Sequence, residues 1–346
     1  MGGIFQMKKY FYQDNVFSFE GSVSIQQEAE WVAPWRINFD QVDFYPFLKE
    51  NVAKAASGVR LCFTTNSKYI ALKLWENEEL IKLDLFVNGK LEERVTIDKE
   101  VNYIKFNKLS NSLNHIEIWL DQSKFFKLNA VLVEEDAKIY KTTFEQKRWV
   151  NYGSSISHSN QAASPSNTWA AIVAAKLNLY ITNLGLAGNC KIEPMMGLLI
   201  SKLPADFITL KLGINVDCGE LTPRTFGPNI IGLIQIIREK HPNVPLAVIS
   251  PIYSPPREGK RKLETNLGLE EMRSIISDIV ETCKRYGDKN IFYVDGLRIF
   301  GADELRYMPD ELHPNAEGQP VLAQHFIDEV FNKFFGYPIF KISTYN

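Results

Sequence analysis

One short stretch of this chain brings together the residue types of acyl transfer: Val150-Asn151-Tyr152-Gly153-Ser154-Ser155-Ile156-Ser157-His158. An apolar run reaches a glycine and then presents small hydroxyl residues before a helical pattern begins. A serine at a strand end, where glycine gives the backbone room to turn, is a candidate nucleophile. The same residues would also serve as an ordinary serine-rich loop. Chemistry therefore requires a base, an acid and oxyanion donors elsewhere in the chain.

The base follows by elimination among five histidines. His115 falls in an N-terminal strand pattern, His241 just after a helix and His325 inside the last helix. His158 and His313 remain at predicted strand ends. His313 has Asp310 three residues before it, close enough within one turn to accept a hydrogen bond from Nδ1–H and leave Nε2 free for a serine proton. His158 follows the serines too closely to be the obvious base, but could line a substrate pocket. Asp295, at the end of another strand, is a rival acid or simply a helix cap. Gly188 and Asn215 also stand at strand ends, where a backbone N–H and a side-chain amide could receive an oxyanion.

Strand and helix patterns alternate from Trp149 onward. Apolar runs at Leu179–Leu184, Phe207–Leu212, Val244–Ile249 and Asn290–Val294 follow the Val150 strand. Helical spacing predicts helices starting at Ser164-Pro165, over Pro194–Leu203, Phe226–Lys240 and Leu269–Arg285, and over Ala316–Phe335. Repeated β-α units imply a parallel sheet covered on both faces, with ligands bound beyond the carboxyl ends of its strands.

Residues 1–146 read differently. Short strand patterns at Tyr69–Trp75, His115–Leu120 and Leu128–Val133 accompany an Asn88-Gly89 hairpin signal between Leu83–Val87 and Lys90–Val95. A β-sandwich is expected here, with a boundary near residue 146 and an α/β domain over 147–346. Trp31, Trp35, Phe44, Tyr45 and Phe47 could form a sugar platform or simply fill a core. Trp35-Arg36 could reach the second domain.

Composition bounds the rest. At 346 residues the chain fits two domains of about 100–200 residues each. A net charge of −2 gives no excess for steering nucleic acid or an anionic membrane surface, and no run reaches the roughly 18 apolar residues of a membrane span. Cys62, Cys190, Cys218 and Cys283 lack metal spacing and are expected to be isolated reduced thiols. No cofactor or metal is expected. The first residues lack a signal-peptide apolar region, so the cytoplasm is the expected location, or secretion if a leader has been removed.

Taken together, four stretches resemble the SGNH, or GDSL-type, hydrolase superfamily. They are Gly153-Ser154-Ser155, Asn183 to Gly188, Gly213-Ile214-Asn215-Val216, and Asp310-Glu311-Leu312-His313-Pro314, in the family's order. The resemblance implies a flavodoxin-like α/β/α fold, with Ser155 as nucleophile, His313 as base and Asp310 as its orienting acid. It also implies an oxyanion hole from the N–H groups of Ser155 and Gly188 with the Asn215 amide. Ser154 and Val216 replace family aspartates, so local hydrogen bonding must differ there. Tyr152-Gly153-Ser154-Ser155-Ile156, the β-rich N-terminus and Ser250-Pro251-Ile252-Tyr253-Ser254-Pro255-Pro256 are similar to a subgroup with a leading sandwich domain, which includes a polyketide-tailoring acyltransferase.

The expected activity is serine esterase action on small acyl or acetyl esters, including those of carbohydrates, through an acyl-enzyme. The alternatives are transfer of the acyl group to a small-molecule alcohol, or glycan binding by an inactive hydrolase fold. Acyl length, leaving group and oligomeric state are not legible.

Overall fold

Alternating apolar residues produce strands throughout the N-terminal half. A computed structural model of the chain describes residues 6–48, 52–107, 109–217, 219–259 and 266–336. The strands of that half are β1 (Met7–Tyr10), β2 (Ser18–Glu20), β3 (Ser24–Gln27), β4 (Val32–Trp35), β5 (Arg60–Thr65), β6 (Ile70–Leu74), β7 (Ile81–Val87), β8 (Lys90–Ile97), β9 (Tyr103–Phe106), β10 (Asn114–Trp119), β11 (Leu128–Glu134) and β12 (Ile139–Tyr140). One antiparallel sheet has the order β3-β4-β11-β6-β9, with β1 also on β11; the other runs β12-β5-β10-β7-β8, with β2 also on β5. Phe63, Leu72, Leu85, Ile116 and Val131 come from five of these strands and are fully or almost fully buried in a shared core. Asn88 and Gly89 take φ of 52° and 78°, the double left-handed geometry that the Asn-Gly signal demands.

The C-terminal half carries strands β13 (Lys147–Gly153), β14 (Leu179–Gly185), β15 (Phe207–Lys211), β16 (Leu246–Ile249) and β17 (Ile291–Val294). All neighbours are parallel, in the order β14-β13-β15-β16-β17. Its helices are α1 (Ser155–His158), α2 (Trp169–Leu177), α3 (Pro194–Lys202), α4 (Pro223–Arg238), α5 (Leu269–Arg285), α6 (Gly296–Ile299) and α7 (Gly318–Phe326), the last continuing as a π-helix over Ile327–Phe335. This is the flavodoxin-like three-layer fold. The chain leaves β13 for one side of the sheet and later returns to its other side, so a crevice opens at the carboxyl end of β13. Aromatic packing anchors one helical layer: Trp149 of β13 meets Trp169 of α2 at 6.0 Å and Phe326 of α7 at 5.6 Å.

By their contacts the residues divide into two compact units. One comprises 1–42, 53–145 and 164–166; the other comprises 43–52, 146–163 and 167–346. Trp31 and Trp35 belong to the first unit, while Phe44, Tyr45 and Phe47 belong to the second. Trp35 and Tyr45 are buried, Trp31 meets Phe125 edge-on, and Phe44 and Phe47 are exposed. Arg36 is wholly buried, donates to the Ala55 carbonyl at 2.5 Å, and has its pKa pushed down by burial to about 9. Cys62, Cys190 and Cys283 are free and buried, and Cys218 lies outside the described residues. Among the described residues no helix is long and apolar enough to cross a membrane.

Several boundaries differ from the sequence pattern for local reasons. Ser164 does not cap α2: its hydroxyl donates to buried Asp84 at 2.7 Å, and Pro165–Asn167 forms a separate 3-10 turn. Thr168 is the N-cap, accepting from Ala171 N. Helix α4 starts a turn earlier than expected because Thr222 and Pro223 supply the cap and first position. Helix α7 starts at Gly318, whose N–H is capped by the Asn315 side chain at 2.9 Å.

A buried polar ladder ties the sheet to α1. Trp149 Nε1 donates to Thr209 Oγ1, Thr209 Oγ1 to Asn151 Oδ1, Asn151 Nδ2 to Asn183 Oδ1, and Asn183 Nδ2 to the Ser157 carbonyl, each at 2.9 Å. Asn151, Asn183 and Thr209 are all fully buried, so each unmade bond would leave a desolvated polar group. Helix α1 lies so close to β14 that a Cβ at Gly185 would stand 2.3 Å from the backbone N of His158. Gly185→Ala must push α1 off the sheet. We expect a loss of about 1–3 kcal/mol, the usual cost of overpacking, read as a lower denaturant midpoint with an unchanged slope.

Candidate active site

Ser155 opens α1 directly beyond β13. Ser154 is the N-cap, with extended backbone and a hydroxyl accepting from Ile156 N at 3.3 Å. Serine and aspartate are both favoured N-caps, so Ser154 meets the local need left by the missing aspartate. The helix is fixed from three directions. Asn183 holds the Ser157 carbonyl, Trp169 Nε1 donates to the Ile156 carbonyl at 2.7 Å, and Gly185 admits the backbone itself.

The structure brings Ser155, His313 and Asp310 into one relay. Ser155 Oγ is 2.7 Å from His313 Nε2, and His313 Nδ1 is 2.6 Å from Asp310 Oδ2. Asp310 Oδ1 also accepts from the backbone N–H groups of His313 at 2.7 Å and Leu312 at 3.1 Å. Partial burial raises the Asp310 pKa, but these backbone bonds and the His313 ring outweigh it and leave the carboxyl below its usual range. It therefore stays ionised at neutral pH and holds the His313 proton on Nδ1. A hydroxyl facing Nε2, with the opposite nitrogen bonded to a carboxylate, can be deprotonated during attack on a carbonyl. The relay is accessible, with the Asp310 and His313 side chains 51% and 20% exposed.

The remaining histidines and the rival acid are otherwise engaged. His115 pairs with Glu117, His241 Nε2 faces the Ile200 carbonyl, and His325 Nδ1 faces the Ile299 carbonyl. Asp295 caps α6 through Leu297 N at 3.0 Å. His158 is buried, and its Nδ1 accepts from Ala187 N at 3.4 Å, which fastens the loop preceding Gly188 to α1.

Gly188 is exposed with φ of 69°, and the Ser155 N–H, the Gly188 N–H and Asn215 Nδ2 have no hydrogen-bond partner among the described residues. The Asn215 amide is oriented: its Oδ1 accepts from Cys190 N at 3.1 Å, which leaves Nδ2 as its donor end. Cys190 itself is no rival nucleophile, because burial pushes its thiol up to about 12. Lys211, at the end of β15, is buried with its ammonium pushed down by burial to about 7.

Sequence patterns alone did not single out Gln319. It is buried, its Oε1 accepts from Trp169 N at 3.0 Å, and its Nε2 donates to the Pro314 carbonyl at 2.8 Å. Trp169 in turn holds α1, so these two residues link the serine helix to the His313-Pro314 turn. A glutamine in a final helix carries no spacing signal that could announce this.

Asp310→Asn should lower turnover by about 10³–10⁴-fold with little change in fold, because the amide would favour the wrong His313 tautomer. A depressed carboxyl pKa stabilises the turn fully above the ordinary carboxylate range, and that contribution disappears as pH falls through the lowered value. The bond from His313 Nδ1–H to the Asp310 carboxylate should thus persist at pH 5. A His313 Nδ1 proton signal that vanished there would contradict this ordering.

A profile of the GDSL-like lipase/acylhydrolase family matches residues 146–331, and a profile of the SsfX3 N-terminal domain matches residues 17–129. Among solved structures, the chain is similar to the salicylyl-acyltransferase SsfX3 from a tetracycline biosynthetic pathway. The two are 30% identical, over 93% of this chain and 96% of that one, with a TM-score of 0.87. A Bacteroides ovatus protein assigned as a GDSL-like lipase is 18% identical, over 96% of this chain and 99% of that one, with a TM-score of 0.75. A family two carbohydrate esterase from Clostridium thermocellum, solved with cellohexaose, is 14% identical, over 93% and 100%, with a TM-score of 0.65. These last two identities establish likeness of fold alone. No curated protein matches the chain in sequence. With one profile matched over more than half its length and a 30%-identical relative along nearly all of it, the chain belongs to the GDSL-like lipase/acylhydrolase family and is an SGNH-type enzyme.

Proposed function

We propose that the protein is a serine esterase acting on small acyl or acetyl esters, including those of carbohydrates, through an acyl-enzyme on Ser155. The observation that carries this reading is the Ser155–His313–Asp310 relay, with bonds of 2.7 and 2.6 Å. Ser155 Oγ attacks the ester carbonyl while His313 Nε2 takes its proton. The resulting oxyanion is received by the N–H groups of Ser155 and Gly188 and by Asn215 Nδ2. His313 then passes the proton to the departing alcohol as the carbon–oxygen bond breaks. Water, deprotonated by the same His313, releases the acid and restores the serine. The exposure of Asp310 and His313 supports access of water to this step.

The division of labour we propose places this chemistry in residues 147–346 and a sandwich domain in residues 1–146. Transfer is the second reading, favoured by the likeness to a salicylyl-acyltransferase along almost the whole chain. In that case an alcohol replaces water in the second half-reaction. A glycan-binding role without catalysis gains nothing from a relay this complete.

Ser155→Ala should reduce hydrolysis of a short-chain aryl ester by about 10⁴–10⁶-fold and abolish labelling by a fluorophosphonate. Activity within a few-fold of wild type would remove Ser155 from the mechanism. Adding an alcohol separates the two fates: free acid as the persistent product favours hydrolysis, and a dominant new ester favours transfer. Asn215→Ala should cost about 10²–10³-fold in turnover if its amide receives the oxyanion. An unchanged turnover would assign that role elsewhere.

A further inference from the structure

The turn carrying Asp310 and His313 contains a residue in a conformation that side chains rarely adopt. Glu311 has a φ of 60°, in the left-handed region. A turn built on it needs external support, and one side chain supplies it. Ser254 is fully buried, and its hydroxyl donates to the Glu311 carbonyl at 2.9 Å. A hydroxyl has one proton, so the contact between Ser254 Oγ and Arg257 Nη1 at 3.3 Å is donated by the arginine. Arg257 Nε also donates to Asp217 Oδ2 at 3.1 Å. Asp217 stands two residues after Asn215.

These bonds run in one consistent sense. Arg257 donates one hydrogen bond to the Asp217 carboxylate and another to Ser254 Oγ, and the Ser254 hydroxyl donates its own to the Glu311 carbonyl. The chain therefore crosses from the loop bearing Asn215 to the turn bearing the acid and base. Its middle is itself held in place. Ser254 N donates to Glu258 Oε1 at 3.2 Å, and Arg273 of α5 grips Glu258 with bonds of 2.7 and 2.6 Å. Arg273 also donates to the carbonyls of Pro251 at 3.0 Å and Ile252 at 3.2 Å. The Ser250–Pro256 segment, which has little regular structure, is thus a fixed mount.

We propose that Ser254 and Arg257 are positioning residues that hold the Asp310–His313 turn in register with the Asn215 loop. This rests on the acyl-enzyme reading above. Neither residue touches the reacting atoms: each acts through the placement of His313. A planar guanidinium can serve Asp217 and Ser254 in different directions at once, which an ammonium cannot reproduce with the same geometry.

The test uses the full chain with Ser254→Ala, Arg257→Gln, Arg257→Lys and Asp217→Asn, and the Ser254→Ala/Arg257→Gln double variant. Small displacements of catalytic groups cost up to about 100-fold. Ser254→Ala and Arg257→Gln should therefore lower kcat for an aryl ester by about 10–100-fold, with KM within about twofold. The double variant should be no worse than the poorer single one, because the bonds act in series. The ¹⁵N-histidine spectrum should show the His313 Nδ1 proton losing its downfield, slowly exchanging character, while thermal unfolding confirms that each variant is folded. Arg257→Lys should not restore the wild-type signal. If Ser254→Ala does not fold, Arg257→Gln and Asp217→Asn give the same readout from more exposed positions. An unchanged kcat and unchanged His313 signal in the folded variants, or additive losses in the double variant, overturns the proposal. If the wild type takes no fluorophosphonate label on Ser155, the acyl-enzyme reading falls, and the His313 signal still decides for or against the tie.

Discussion

Helix α1 must lie directly on the end of β14, and most of the site's geometry depends on that close approach. The approach is sterically allowed because Gly185 has no Cβ; one would stand 2.3 Å from the α1 backbone. It is enforced by the buried ladder that ends on the Ser157 carbonyl. Every member of that ladder is desolvated, so a shift of α1 would leave an amide without its partner at a cost of about 1–3 kcal/mol. Ser155 is therefore presented by a short helix of little stability of its own, held in place by the sheet beneath it.

The second half of the relay arrives from a different part of the chain and is fixed by different means. His313 and Asp310 share one turn, whose carboxylate satisfies two backbone N–H groups as well as the imidazole. Gln319 connects that turn to Trp169, and Trp169 holds the Ile156 carbonyl. Ser155 and His313 thus share a polar scaffold as well as a direct hydrogen bond. In the proposed reaction such pre-organisation would limit the reorientation needed as charge develops on the imidazole and the oxyanion. The buried thiol of Cys190 contributes differently: it is chemically silent, while its backbone N–H aims the Asn215 amide.

The parts of the fold legible in the sequence are those dictated by local chemistry. The Asn88-Gly89 hairpin follows from the need for two positive φ angles, and helix α5 follows from its apolar stripe, which matches Leu269–Arg285 from end to end. Helix starts were less legible, because a capping side chain can be claimed by a distant partner. Ser164 looks like a cap until Asp84, eighty residues earlier, takes its hydroxyl. Asp295 satisfies a helix start rather than a histidine, a choice that only its final neighbours could make.

By themselves the residue types determined that a serine, a histidine and an aspartate were available at strand ends, since spacing and elimination act within single segments. Tertiary structure alone decided that Ser155 Oγ and His313 Nε2, 158 positions apart, meet at 2.7 Å. It also decided that Cys190 N takes the Asn215 Oδ1 and that Ser254 and Arg257 reach the Glu311 carbonyl and Asp217. The physical reason is the range of the forces involved. Turn and helix preferences are settled over a few residues, whereas the alignment of a hydrogen bond depends on the placement of every strand and helix that carries its two ends.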